Sequence, residues 1–221
     1  MMQTARKYGI VFNAEKCIIG TKEVKFFGMI YSSESVKPDP GKTKEIADLP
    51  PPDAVRELQQ FLEMNQFLGP FLRKLSHQTA VLRKLCSVES EWVWTTCHQR
   101  AFDTLKEQVC NTVNLCYFDK NLSTKVQVDS SLLGLGAALI QTTSDNQERV
   151  IAFASKSLTD TESRYANIER EMLAVVFGTE RFHTFLYGSK CVVESDHKPL
   201  AAIHLKNISH APARLQRRLL R

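Results

Sequence analysis

The sequence predicts an α+β or α/β chain of two textures: strands and then helices up to about residue 121, and a mixed α/β unit from about residue 122 onward. Three observations predict it. Residues 9–36 hold short runs rich in β-branched and aromatic residues, broken by turn formers. Pro38, Pro40, Pro50, Pro51 and Pro52 then introduce a stretch whose apolar residues recur at helical spacing. From residue 122 alternating strands return, followed by a long amphipathic helix and a fourth strand.

Taken in order, strands are expected at residues 10–12, 17–19 and 24–31. A short helix is expected over residues 41–49, with Asp39 as its cap and Pro40 in the first turn, where the missing N–H costs nothing. Asp53 is expected to cap the next helix, whose apolar face is Leu58, Phe61 and Leu62, and Gly69 and Pro70 should end it. Phe71, Leu72, Leu75, Leu82 and Leu85 suit another helix. Thr95 can cap one carrying Ala101, Phe102, Leu105 and Val109 on one side. Residues 125–129, 136–141 and 150–154 read as an antiparallel meander. A helix over residues 165–186 should bury Ile168, Met172, Val175, Val176, Phe182 and Leu186, with Gly188 ending it. A strand at residues 191–195 leads to Asp196, and two further helical pieces complete the chain.

Composition excludes several classes. With 43% hydrophobic and 24% charged residues among 221, the chain has the balance of a packed protein rather than a disordered tail. No apolar run approaches the ~20 residues that span a bilayer, and the N-terminal residues lack the apolar core of a secretion signal. An intracellular protein without membrane partners is expected. The six cysteines are scattered with no Cys-x-x-Cys pair, which argues against a zinc site or a disulfide framework. The net charge of +5 is mild, but the last fourteen residues carry Arg214, Arg217, Arg218 and Arg221 and no acid. Such a helix can follow phosphates by charge attraction; the alternative is an ordinary solvated face.

Three carboxylates can carry chemistry. Asp129 and Asp196 each end a strand, and Glu171 lies one turn into the long helix. A helix packed across the sheet would bring the three to one end. Carboxylates that close repel each other, and a divalent cation removes the conflict. Two such ions about 4 Å apart can activate water and stabilise a leaving oxygen in phosphodiester cleavage. The plainer alternatives are a turn or cap role for each Asp and a solvated surface charge for the Glu. Periodicity does not choose between Glu169 and Glu171, which flank the apolar stripe on opposite sides.

At these residues the chain resembles the polymerase polyprotein of gypsy-type LTR retrotransposons, in order over nearly its whole length. KCIIGTKEVKFFGMIYSSESVKPDPGKTKEIADLPPP is similar to the end of a reverse transcriptase palm with its primer-grip hairpin and the start of the thumb. VRELQQFLEMNQFLGPFLRKLS resembles thumb helices, and WVWTTCHQRAFDTLKEQV the segment leading into the ribonuclease H domain. VQVDSSLLGLGAALIQ, IAFASKSLTDTESRYANIEREMLAVVFGTERFHTFLYG and SDHKPL resemble the strands and catalytic helix of that domain.

The resemblance implies a palm end over residues 1–36, thumb-like helices over 37–86, a link over 87–121 and a ribonuclease H-like fold over 122–221. The polymerase's paired aspartates are expected before residue 1, and the last strand, last helix and fourth acid of the ribonuclease H fold after Arg221. It implies hydrolysis of the RNA strand of RNA–DNA hybrids with Mg²⁺ (or Mn²⁺) on Asp129, Glu171 and Asp196, weak or absent in this stretch alone. Glu171, two residues before Leu173 and Ala174, matches the family's catalytic acid, which leaves Glu169 a supporting role. His197 looks like a family signature residue that fixes a turn. Departures are the thumb run from Phe61 to Phe71 and VDSSLLGLG in place of the commoner Asp-Ala-Ser start. Arg56, Arg73, Lys74, Arg83, Lys84, Arg214, Arg217 and Arg218 are candidates for phosphate contact. Membership of a longer polyprotein is implied, and dimerisation is left open. The rival functions are a non-enzymatic remnant that binds nucleic acid or a partner, and another nuclease of the same fold.

Overall fold

The computed structural model describes residues 2–88 and 90–196. The helical pieces expected after the fourth strand, with His197, Arg214, Arg217 and Arg218, lie outside the described residues.

The first part starts with α1 (Met2–Lys7) and a 3-10 turn at Ala14–Lys16. The strands expected at residues 10–12 and 17–19 are not there. Ile10, Val11, Ile18 and Ile19 are exposed and meet no neighbouring strand among the described residues, and β preference is realised only through pairing and packing. The expected strand at 24–31 is a hairpin instead, β1 (Glu23–Phe26) and β2 (Met29–Ser32). Phe27 and Gly28 form its turn with φ of 47° and 70°; two successive positive φ values match the twist of the flanking strands. β3 (Ser35–Pro38) follows antiparallel to β2.

α2 (Pro40–Ala47) is capped as expected, the Asp39 carboxylate accepting from the Gly41 N–H at 3.1 Å. α3 (Val55–Phe67) is not capped by Asp53. Ala54 takes the cap position, and the Asp53 N–H donates back to the Glu57 carboxylate at 2.9 Å. After a 3-10 turn at Gly69–Phe71 come α4 (Leu75–Leu85) and α5 (Thr96–Cys110). Strand β4 (Leu115–Cys116) then pairs with β3 and completes a four-stranded sheet in the order β1-β2-β3-β4. Met29, Ile46, Leu58, Phe61, Leu82, Phe102 and Leu105 share one core, with the Phe61 and Phe102 rings 4.4 Å apart. Phe102, Leu105, Val109 and Leu115, within the expected link, thus pack into the helical core.

The second sheet runs β7-β6-β5-β8. β5 (Ser123–Ser130), β6 (Gly134–Thr142) and β7 (Glu148–Ser157) form the expected antiparallel meander. β8 (Cys191–Ser195) has the expected bounds and lies parallel to β5. A short helix α6 (Asp160–Ser163) comes first, and the expected helix at 165–186 is two pieces, α7 (Asn167–Arg181) and α8 (His183–Leu186). Between the last two, Phe182 leaves helical geometry and buries its ring in the core. Gly188, at φ 73°, ends this run as expected. The buried face of α7 is Glu171, Met172, Leu173, Ala174 and Gly178, while Ile168, Val175 and Val176 are half-buried. Gly178 brings the helix onto the sheet; a Cβ there would lie 2.9 Å from Val128 Cγ1.

The two parts meet where the start of α4 packs on β6 and β7. The Ser76 N–H donates to Ser155 Oγ at 3.1 Å, and the Ser76 hydroxyl donates to the Leu135 carbonyl at 3.4 Å.

Candidate active site

Strand alternation decides which side chains of β5 meet which neighbours. Val126 and Val128 point into the core under α7, so Lys125, Gln127 and Asp129 stand on the other face. Ser130 returns to the α7 side, and its hydroxyl donates to Glu171 Oε1 at 2.8 Å. β8 follows β5 in parallel register, with Gln127 beside Glu194 and Val128 beside Ser195. Asp129 and Asp196 are the next residues of each strand, and both line one open cleft of about 460 Å³.

Two of the three expected acids are thus together, at the carboxyl ends of two adjacent parallel strands. Ligands of α/β sheets bind outside such ends. Glu171, only 4% exposed, lies on the other face of β5 and does not line the cleft. Among the described residues no group of three His, Cys, Asp or Glu is placed to hold a metal ion. The physical reason is the two-residue period of the strand: it turns Ser130, not Asp129, toward the helix. Glu169 has a separate task, its carboxylate accepting from the Ala166 N–H at 3.1 Å at the start of α7.

The opposite wall of the cleft comes from the approach to α4. Lys74 forms an ion pair with Asp129. Arg73 lies over the Phe153 ring at 5.7 Å and points one N–H at Gln127 Oε1, 3.4 Å away. Beneath them His77 Nδ1 and Ser131 Oγ are 3.1 Å apart, beside a smaller hollow that Lys74 and Asp129 also line. Farther along β5, Lys125 bridges Glu148 at 2.7 Å and Glu194 at 3.0 Å. Of the basic residues singled out in the sequence, Arg73 and Lys74 line the cleft, and Arg56, Arg83 and Lys84 do not. Arg83 is engaged with Thr79 and Gln66. Sequence reasoning missed the roles of Ser130, Ser131 and His77. The only signal was the Ser-Ser pair after a strand-ending Asp, and it does not say which serine faces the helix.

Residues 94–193 match the family described as "RNase H-like domain found in reverse transcriptase". Over those residues the chain is similar to RNase H-like domains of reverse transcriptases. This match includes α5, which packs with the helical core. Beyond it, the chain is 31% identical over 212 residues to the retrovirus-related Pol polyprotein from transposon opus of Drosophila melanogaster, over 90% of this chain and 21% of that protein. It is 29% identical over 199 residues to the corresponding polyprotein from transposon gypsy of the same organism, over 84% of this chain and 19% of that one. The chain therefore spans about a fifth of the length of these relatives. A solved foamy viral protease-reverse transcriptase in complex with an RNA/DNA hybrid superposes with a TM-score of 0.69 at 20% identity, over 88% of this chain and 27% of that one. At that identity the likeness speaks for the fold: helices and a small sheet followed by the RNase H-like domain. No helix among the described residues is long and apolar enough to cross a membrane.

Proposed function

We propose that this chain supplies the ribonuclease H activity of a retrotransposon reverse transcriptase, hydrolysing the RNA strand of RNA–DNA hybrids inside the cell as part of a longer Pol polyprotein. The observation that carries the reading is the pairing of Asp129 and Asp196 at the carboxyl ends of β5 and β8, within the segment that matches the RNase H-like family and its immediate border. In this reading residues 1–36 act as a palm end, 37–86 as thumb-like helices, 87–121 as the link and 122–221 as the nuclease domain.

The residues fit one divalent cation. Their donors are hard carboxylate oxygens, the cleft is open enough for water and a substrate phosphate, and a lysine ammonium is already drawn to Asp129. Asp129 and Asp196 would hold Mg²⁺, or Mn²⁺ in its place. When bound, such an ion lowers the pKa of water and offsets charge on the leaving oxygen. Arg73, supported by Phe153, faces the cleft as a donor for a substrate phosphate. Ser130 and Glu171 brace the β5 end from the α7 side, so the Asp129 backbone does not drift when charge arrives. Arg56, Arg83 and Lys84, with Arg214, Arg217 and Arg218, would add phosphate contacts that are indifferent to sequence, as an enzyme reading hybrid shape requires.

The test is cleavage of a labelled RNA–DNA hybrid by the full chain in Mg²⁺ or Mn²⁺. Asp129→Asn and Asp196→Asn should each lower the rate about 10²–10³-fold, the usual loss of one preorganised electrostatic group. Hybrid binding without cleavage, indifferent to both substitutions, would favour a non-enzymatic binding role. The neutralisation of Asp129 by Lys74 is the feature that speaks for that second reading.

A further inference from the structure

We infer that Lys74 is a built-in counter-cation for the acidic pair: its ammonium holds Asp129 while no divalent ion is bound, and it must swing away for one to bind. The inference rests on the cation-site reading of Asp129 and Asp196.

Four observations carry it. The Lys74 ammonium sits on Asp129 Oδ2, the carboxylate that a cation between the two acids would need. Lys74 lines both hollows that flank Asp129, the cleft shared with Asp196 and the smaller one shared with His77 and Ser131. Its backbone is pinned in a left-handed conformation, φ 52° and ψ 33°, which an L-residue rarely adopts without support from its surroundings. That support follows at once in sequence: Ser76 is bonded to Ser155, and His77 contacts Ser131. The root of the lysine is therefore fixed to the nuclease sheet.

The tip is not. The Lys74 side chain is 53% exposed, on a four-carbon stem that can rotate into solvent without moving α4. Arg73, the other cation of the cleft, is directed at Gln127 and Phe153 rather than at Asp129. One ammonium carries a single charge and gives three hydrogen bonds. A divalent ion carries twice the charge and takes oxygen ligands from both acids and from water. The two cannot share Asp129 closely, because like charges repel, so each weakens the hold of the other by the same factor.

The experiment is a Mn²⁺ titration of the full chain, free Mn²⁺ being read by its electron paramagnetic resonance signal. Lys74→Met should tighten Mn²⁺ binding about two- to fivefold, the span expected from releasing one exposed ion pair. Lys74→Gln should do the same and serves as a second variant if methionine perturbs folding, which a melting curve reports. Lys74→Arg should stay at the wild-type value or bind more weakly. Arg73→Gln should tighten binding less than Lys74→Met, which separates a specific pair from a general change of charge. Unchanged binding in Lys74→Met and Lys74→Gln, with Asp129→Asn still damaging, would overturn the role of Lys74 and leave the acid pair standing. Wild-type Mn²⁺ binding in Asp129→Asn would overturn the acid pair and the Lys74 inference together.

Discussion

The Ser130 hydroxyl donates to Glu171 Oε1 at 2.8 Å and so joins the end of β5 to α7 on the face opposite Asp129. A buried acceptor oxygen needs its hydrogen bond, and removing the donor leaves its desolvation uncompensated. Ser130→Ala should lower unfolding stability by about 1–3 kcal/mol in urea titrations. Glu171→Gln should lose less than Ser130→Ala, because the amide oxygen can still accept from Ser130. Glu169→Gln, whose side chain accepts from the Ala166 N–H at the start of α7, should leave Mn²⁺ affinity unchanged. A larger loss of stability in Glu171→Gln than in Ser130→Ala would contradict this bond's place in the fold.

Gly178 should resist even the smallest side chain. An added Cβ would lie 2.9 Å from Val128 Cγ1, 3.1 Å from Val126 Cγ1 and 3.3 Å from Ala137 Cβ. In an open helix, Gly→Ala would gain about 1 kcal/mol of helix propensity. Here overpacking against β5 costs about 1–3 kcal/mol and should win. Gly178→Ala is expected to melt below the wild type, and a higher melting temperature would show that α7 can lift off the sheet cheaply.

Gln141 is fully buried and spans two parts of the chain. Its amide nitrogen donates to the Asp119 carbonyl at 2.7 Å and to Thr124 Oγ1 at 2.9 Å, and its oxygen accepts from the Asp119 N–H at 2.9 Å. Gln141→Leu keeps the volume but removes all three of these bonds from a fully buried position. A loss of about 1–3 kcal/mol is expected in chemical denaturation. Thr124→Val, which removes only one of these partners, should cost less.

Glu162 should give the chain a measurable acid dependence. Burial pushes its carboxyl upward, but the Thr159 N–H and the Lys156 ammonium together outweigh burial and hold it below its ordinary 4.5. The Thr159 N–H donates at 3.0 Å and Lys156 at 2.9 Å. A folded pKa below the unfolded one contributes stability that is present above about pH 4.5 and disappears as pH falls through the folded value. Glu162→Gln should therefore be less stable than wild type at pH 7, and the gap should close on acidification below pH 4.5. A gap that stays constant from pH 7 to pH 3 would rule out this ion pair and cap as its source.

The sequence alone determined the features written in local chemistry. The Asp39 cap of α2, the meander β5-β6-β7, the bounds of β8 and the position of Asp129 and Asp196 at strand ends all follow from side-chain alternation, caps and turn residues within a few positions. Only the tertiary structure decided the rest. Residues 10–12 and 17–19 have strand-like composition, yet among the described residues no partner strand meets them, while the two-residue β4 forms because β3 offers it an edge. The face on which Asp129 stands is set by the pleat of β5 against α7, and a shift of one residue would exchange it with Ser130. The pairing of Lys74 with Asp129 joins residues far apart in the chain, and depends on how α4 docks on β6 and β7. Local sequence fixes what a side chain can do; which partner it meets depends on packing between distant segments.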